Sequence, residues 1–166
     1  MRIKQARSQA WYNLPMVSAA DIKVLRDETG LSMSLVKSAL DEAGGDKTKA
    51  LEILRSKAGA AADKKSGRAL GAGTVASYVH STKTMGAMVE PDSETDFVAK
   101  NDEFKQLAYD IAMHVSATAP ADVPALMEEP FVKDGTRTIK QLIEGAVQKF
   151  GERVEIKRFS RFSVLD

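Results

Sequence analysis

The sequence predicts an α+β fold in which an N-terminal three-helix domain is followed by a three-stranded antiparallel sheet packed against helices. Two observations lead to this prediction. Before Leu54, apolar residues recur at helical spacing in three short segments separated by glycine turns. From Thr74 onwards, apolar residues first alternate as in a half-buried strand and then return to helical spacing. With 43% hydrophobic residues among 166, the chain has enough apolar material for a packed core.

The N-terminal domain, residues 18–57, is predicted to contain three short helices. Residues that can start or end a helix lie at Ser18, Gly30, Ser32, Ser34, Gly44, Gly45 and Asp46. None of the helices is long enough to be stable alone, so their apolar stripes must pack on one another or on a partner. The block resembles the ubiquitin-associated (UBA) type of three-helix domain.

Two segments of different composition flank this domain. Residues 1–17 contain three basic residues and no acidic one, and we interpret them as a basic tail. Residues 58–73 are rich in alanine, glycine and lysine, and we interpret them as a flexible linker that could hold a helical turn. Residues 74–166 then form the α+β core domain.

The core domain is predicted to begin with an antiparallel hairpin. Its strands are Val75 to His80 and Met85 to Glu90, joined by a polar turn. The last strand covers Val154 to Phe159. Its alternation slips after Ile156, which predicts a β-bulge.

Two longer helices should cover one face of this sheet. Asn101 or Asp102 can cap the first helix, and Thr138 with Gln141 forms a capping box for the second. Between the helices, Ala119 to Pro130 contains three prolines, so we expect an irregular segment there.

The composition argues against an enzyme or a metal protein. The chain has no cysteine, which excludes disulfides and thiolate chemistry. Its two histidines, His80 and His114, fall in different predicted elements with no signature of a shared site, and His114 continues an apolar helix stripe. The acidic run from Glu90 to Glu103 is interrupted by Pro91 and apolar residues, so we interpret it as a solvated, helix-capping run. We therefore expect no enzyme activity, no metal and no cofactor.

Charge and hydropathy also limit the partners. The net charge is +1, from 24 basic and 23 acidic residues, which disfavours direct binding to nucleic acid. No apolar run approaches the ~20 residues that span a bilayer, so we expect no membrane partner. The lack of cysteine suits a reducing compartment. We expect a cytoplasmic location, with an organelle matrix or stroma as the alternative.

The segment from Glu94 to Asn101 connects a predicted strand to a predicted helix, yet it carries apolar residues beside acidic ones. Connections are usually exposed. Phe97 could tuck into the local core as a staple for the following helix. It could instead project outward and anchor a partner, as central aromatic residues do at interfaces. Composition alone does not decide between these alternatives.

The stretch Ser-Glu-Thr-Asp-Phe-Val-Ala-Lys-Asn-Asp-Glu-Phe, residues 93–104, closely resembles the signature of the elongation factor Ts family. Further segments resemble the family in the same order. They are residues 25–33, the hairpin of residues 73–90, Glu129 to Asp134, and Gly151 to Phe162. Several separate motifs in one order are more specific than any single motif, and together they cover nearly everything from Ser18 onwards.

The resemblance implies a function and a set of contact residues. Members of the family bind elongation factor Tu, a GTPase, and expel its GDP so that GTP can rebind. The positions matching the family's magnesium-displacing stretch are Thr95, Asp96, Phe97 and Val98. Arg26 and Met33 match contacts of the N-terminal domain, and Ser34 stands where the family often has a second methionine. The alternative is a UBA-type protein-binding module without exchange activity.

The length of the chain adds one expectation. Longer members of the family duplicate the core block and insert a helical hairpin before the Pro130-Phe131-Val132 segment. This sequence shows neither a second core copy nor that insertion. Some short members complete their binding surface as homodimers. We therefore expect residues 74–166 to be a dimerisation-type core domain and the chain to form a homodimer through this domain.

Overall fold

The computed structural model describes residues 17–164, so the predicted basic tail lies outside the described residues except for Val17. Among the described residues, no helix is both long and apolar enough to cross a membrane. The chain divides into two compact units between Lys57 and Ala58. The elements are α1 (Ala19–Thr29), α2 (Met33–Glu42), α3 (Lys47–Lys65), β1 (Ala72–Gly73), β2 (Ala76–Val79), β3 (Met85–Ser93), α4 (Asp96–Ala99), α5 (Asp102–Thr118), α6 (Val123–Glu128), β4 (Pro130–Phe131), β5 (Asp134–Thr138), α7 (Ile139–Phe150) and β6 (Val154–Ser163).

The first unit contains the three predicted helices, and its core consists of Leu25, Leu31, Val36, Ala39, Leu40, Ala50 and Leu54. Its caps are local. The Ser18 hydroxyl accepts from the Asp21 N–H, and Gly30 ends α1 in the left-handed region with φ 66°. Asp46 accepts from the backbone N–H groups of Thr48 and Lys49 at the start of α3. The short elements therefore form where capping residues stand beside apolar stripes.

Helix α3 continues to Lys65, into the segment that we expected to be a linker. Alanine is the strongest helix former, and the sequence from Ala58 to Lys65 has four alanines and only one glycine. Ala58 is buried, and Ala62 packs against the core of the second unit. Helix propensity and packing together thus extend the helix, and the irregular part of the connection begins after Lys65. The assignment of residues 18–57 as a UBA-like domain stays a proposal.

The sheet of the second unit is antiparallel and centred on β3. Strands β1 and β2 pair with successive parts of one edge of β3, and β6 pairs with the other edge. The predicted hairpin is present. Two residues of the former linker add β1, so this sheet of the described residues has four strands and not the predicted three. The pairing shifts from Glu90–Arg158 to Pro91–Ile156, which leaves Lys157 as the extra residue. This confirms the predicted bulge, and it lies beside a proline, which has no N–H to donate to the ladder.

Helices pack on one face of this sheet, as predicted. Helix α5 contacts β2 and β3, and α7 contacts β6. Asn101 caps α5, and Thr138 and Gln141 form the capping box of α7. The core includes Phe104, Ile111, Val115, Leu126, Ile139, Ile143 and Val147. The α+β prediction is therefore confirmed.

The proline-containing segment between α5 and α7 is more regular than we expected. It forms α6 and the short hairpin of β4 and β5. Asp122 caps α6 by accepting from the Ala125 N–H, and Pro124 lies in the first turn, where a missing N–H costs nothing. Leu126 is fully buried and fixes this helix to the core.

His114 lies inside the core of the second unit. Its side chain is fully buried, its Nε2 lies 2.9 Å from Glu129 Oε2, and its Nδ1 accepts from the Val132 N–H. Burial lowers the pKa of His114, and the hydrogen bond to Glu129 offsets this only in part. The residue thus joins α5 to the β4–β5 segment in its neutral form near pH 7. His80 hydrogen-bonds to the Tyr78 hydroxyl at 3.0 Å.

Candidate protein-binding site

The short helix α4 forms a turn directly after the central strand of the sheet. Thr95 is extended, with φ −127° and ψ 157°, and precedes the helix as its N-cap residue. The Ala99 N–H donates to the Thr95 carbonyl at 3.2 Å, and the Lys100 N–H donates to the Asp96 carbonyl at 2.9 Å. These bonds close a single turn, so the side chains of residues 95–98 point in several directions over a short length of chain.

Phe97 and Val98 are neighbours in this turn and have opposite environments. Phe97 is 80% exposed, whereas Val98 is 3% exposed and belongs to the core beneath the turn. Phe97 is therefore not the staple of the following helix, and it is free to meet a partner. The side chain of Val98, which we predicted as part of the partner-binding stretch, packs inside the protein. This side chain therefore joins the turn to the core.

Thr95 is held by a residue far along the chain. Its backbone N–H donates to Glu152 Oε2 at 3.0 Å, and its hydroxyl donates to Glu152 Oε1 at 2.6 Å. The Ser93 hydroxyl donates to the Thr95 carbonyl at 2.9 Å. Sequence reasoning missed Glu152, because it is separated from Thr95 by 57 residues and follows the glycine that ends α7 without a motif of its own.

Glu94, the residue before Thr95, also joins the same two segments. Its Oε1 accepts from the Arg153 N–H at 2.6 Å and from the Arg68 guanidinium at 3.3 Å. The hydrogen bond from the Arg153 backbone, with that from Arg68, holds the pKa of Glu94 below its ordinary value. The strand end and the loop before β6 are thus joined by charged hydrogen bonds at two consecutive residues before the turn.

Asp96 presents a charge beside the exposed ring. Its carboxylate is largely exposed and pairs with Lys100, one helical turn later. The hydrogen bond from Lys100 lowers the pKa of Asp96, so the group is ionised near neutral pH. Among residues 17–164, no cluster of three or more metal-ligating side chains occurs. The turn therefore offers a carboxylate and an aromatic ring to another molecule.

The predicted site residues of the first unit are also exposed. Met33 is 58% exposed at the first position of α2, and Ser34 follows it with its hydroxyl 3.0 Å from that of Ser32. Arg26 projects from the last turn of α1, while its carbonyl accepts from the Gly30 N–H at 2.8 Å. Val24 is 52% exposed on the same helix, and sequence reasoning did not single it out. The unit presents apolar and cationic groups close together in sequence.

The open face of the sheet carries further apolar side chains that the sequence had not placed. Val79, Gly86 and Phe162 are paired across three strands, and Val79 is 58% exposed and Phe162 69% exposed. Met88, on the central strand, is 47% exposed on this side. A Cβ on Gly86 would lie 2.8 Å from the Tyr78 carbonyl oxygen, so close pairing of the strands requires glycine there.

Comparison with known proteins identifies the family. The family model described as Elongation factor TS matches residues 94–166. The elongation factor Ts of Desulforamulus reducens is 36% identical to this chain, and the alignment covers 89% of both proteins. The chain belongs to the elongation factor Ts family. The elongation factor Ts match includes both Phe97 and Glu152, so the turn and the residue that holds it lie in the same family region.

Other elongation factor Ts relatives differ from this chain in length. The protein of Trichlorobacter lovleyi is 44% identical over 147 residues, but the chain spans only 47% of it. A chloroplastic polyprotein of elongation factor Ts from Oryza sativa subsp. indica is 35% identical, and 17% of its length is covered. The alignment with the Desulforamulus protein runs over 193 positions, more than this whole chain of 166 residues. That relative therefore contains residues that are missing here.

Proposed function

We propose that this chain is a guanine-nucleotide exchange factor that binds elongation factor Tu, displaces its magnesium ion and promotes release of GDP. The observation that carries the proposal is the 80% exposure of Phe97 on a turn whose neighbouring residues are fixed to the sheet and the core. A large apolar ring costs free energy when water surrounds it, and a protein partner can remove that cost. No covalent bond needs to form or break, so the protein would act by binding alone.

The energetics follow from linkage between two binding events. A factor that binds the nucleotide-free GTPase better than the GDP-bound form must weaken GDP binding by the same ratio. Burial of one phenylalanine contributes roughly 1.5–3 kcal/mol, which is about one to two decades of affinity. Phe97 alone is therefore too small a contact for strong exchange. We assign the rest to a separate contact through Arg26, Met33 and Ser34.

Asp96 would add an electrostatic contribution. GDP is held largely through its phosphates, the magnesium ion and backbone donors. An ionised carboxylate brought next to the magnesium site changes the charge around the ion, and the adjacent ring takes up space and excludes water. Asp96 pairs with Lys100 in the free protein. We propose that it acts by charge and hydrogen bonding and does not become a permanent metal ligand.

A homodimer through the open face of the sheet is part of the proposal. Val79, Met88 and Phe162 are exposed there at 58%, 47% and 69%. Light scattering tests it, since a strict monomer at high micromolar concentration would contradict a dimer. Phe162→Asp should yield monomers, whereas Val132→Asp, at an exposed valine between β4 and β5, should not. We place the protein where translation occurs, in a bacterial cytoplasm or an organelle.

A second candidate function is a UBA-type binding module without exchange activity. The observation that favours it is the exposure of Val24 and Met33 on two helices of the first unit, which suits a short apolar ligand. This second function assigns no role to the exposed Phe97.

The release of labelled GDP from purified elongation factor Tu separates the two functions. The exchange proposal expects release to accelerate with increasing concentrations of this chain and to reach a plateau. Unchanged release in the presence of bound chain would support the binding module and remove the exchange function.

A further inference from the structure

We propose that Glu152 is a positioning residue for nucleotide exchange, which fixes the start of α4 and thereby the direction in which Asp96 and Phe97 leave the surface. The inference rests on the proposed function, and it assigns a role to a residue outside the exposed contact stretch. Glu152 lies in the loop between α7 and β6 and uses both carboxylate oxygens on one residue, Thr95.

The geometry of this contact is suited to orientation. The Thr95 N–H and hydroxyl reach different oxygens of Glu152, at 3.0 and 2.6 Å. Hydrogen bonds to an ionised carboxylate are shorter and stronger than those between neutral groups, and a two-point contact fixes direction as well as distance. Arg153, the next residue, donates its N–H to Glu94 at 2.6 Å. Two consecutive residues of the loop therefore hold two consecutive residues before the turn.

The side chain of Thr95 indicates that the tether replaces an ordinary helix cap. Threonine at an N-cap position normally accepts a hydrogen bond from an N–H of the first turn. Here no such bond forms, and the hydroxyl instead donates to Glu152. A helix of four residues does not persist by itself, so its orientation depends on contacts outside it. Val98 anchors the turn from below, and Glu152 anchors its beginning.

The consequence for exchange is preorganisation. A turn that is already fixed loses little freedom when its exposed ring enters a partner, whereas an untethered turn must be ordered during binding. We expect Glu152→Ala to reduce exchange about 3- to 10-fold, which corresponds to the ordering of one or two side chains. Glu152→Gln keeps one acceptor oxygen and should fall between Glu152→Ala and the unmodified chain.

A double-mutant cycle with Phe97→Ala tests this role, with GDP release from elongation factor Tu as the readout. If Glu152 acts through the turn, Glu152→Ala should slow release in the unmodified chain and change little once Phe97 is already alanine. Equal slowing in both backgrounds would overturn the proposal, because it indicates a general structural effect. Glu155→Ala is the matched control. It removes a nearby carboxylate that pairs with Arg153 and not with Thr95.

Amide hydrogen exchange at Thr95, followed by NMR in the full chain, tests the tether without the GTPase. We expect the exposed Thr95 amide to exchange slowly in the unmodified chain, faster in Glu152→Gln and fastest in Glu152→Ala. Equal exchange in all three overturns the proposal whether or not the chain accelerates GDP release. A different result would contradict the proposed function alone. In that case the Thr95 amide would be protected as expected, but the chain would not accelerate GDP release. Glu152→Gln also provides the comparison if Glu152→Ala does not fold.

Discussion

The α1–α2 corner, where Gly30 ends one helix and Met33 begins the next, and the α4 turn both present an apolar side chain at the start of a helix. The two are held in different ways. At the corner, Gly30 donates its N–H to the Arg26 carbonyl, and Ser32 accepts from an N–H of α2, three residues later. At the turn, Thr95 depends on Glu152, 57 residues away. Local hydrogen bonds shape the corner from its own sequence, whereas the direction of the Phe97 side chain is decided by distant parts of the chain.

The largest expected effect is that of replacing Phe97, the exposed residue of the turn, while the buried Val98 stays in place. Phe97→Ala should slow GDP release from elongation factor Tu by roughly 10- to 100-fold, because it removes a ring worth about 1.5–3 kcal/mol on burial. The melting temperature of the Phe97→Ala protein should hardly change, since the ring is 80% exposed. Tyr109→Ala, at an exposed ring on α5, is the control and should leave release unchanged. A Phe97→Ala protein that unfolds would contradict the assignment of Phe97 as a contact.

The difference between the two regions also explains what the sequence could predict. The caps at Ser18, Asn101 and Thr138 depend on residues within one helical turn, so local patterns identify them. The bulge at Lys157 is equally visible as a slip in alternation. Phe97 and Val98 stand side by side in a connection, where no periodicity shows which one faces the core. That choice depends on the core beneath them, and the long-range contact with Glu152 leaves no local pattern.

The next largest effect should be a loss of folding stability, caused by a change at a buried residue and not at the exposed contact residues. Val98→Ala deletes two methyl groups from a side chain that is 3% exposed, and it should destabilise the second unit by about 1–3 kcal/mol. Denaturant unfolding of the full chain measures this change. Val132→Ala, at a valine that is 46% exposed, should have little effect. If Val98→Ala left stability unchanged, the support assigned to Val98 would be wrong.

A smaller effect is expected at the α1–α2 corner. Met33 is 58% exposed, and Met33→Ala should raise the concentration needed for half-maximal exchange by about 3- to 10-fold, since a partner can bury the exposed part. Arg26→Ala should act in the same direction. Lys23→Ala removes another exposed cation from the same helix and serves as the control. An equal change in Lys23→Ala would indicate general electrostatic attraction and not a specific contact.

Ser32→Ala should test the local character of the corner. Loss of an N-cap side chain costs about 1 kcal/mol, and the Ser32 hydroxyl accepts from the Leu35 N–H. Amide hydrogen exchange should show faster opening in the first unit and no change around Thr95. Equal loss of protection in both units would mean that the two regions are not held independently.

The smallest expected effect is a difference in pH dependence. Burial lowers the pKa of His114 below its ordinary value, so the unfolded chain takes up this proton more readily than the folded one. Its contribution to stability is therefore fully present above about pH 6.5 and declines as the pH falls below that value. His114→Gln should remove this part of the pH dependence in the second unit. An unchanged pH profile of amide exchange in His114→Gln would contradict it.

The magnesium dependence of exchange tests the central claim, that Asp96 and Phe97 act at the magnesium site of the GTPase. GDP release from elongation factor Tu should be compared for the unmodified chain and Phe97→Ala, at millimolar magnesium and again with the metal removed by a chelator. The account predicts a large defect of Phe97→Ala with magnesium and a much smaller one without it, because no ion then remains to be displaced. An equal defect under both conditions would show that Phe97 contributes only binding energy, and it would contradict magnesium displacement by the turn.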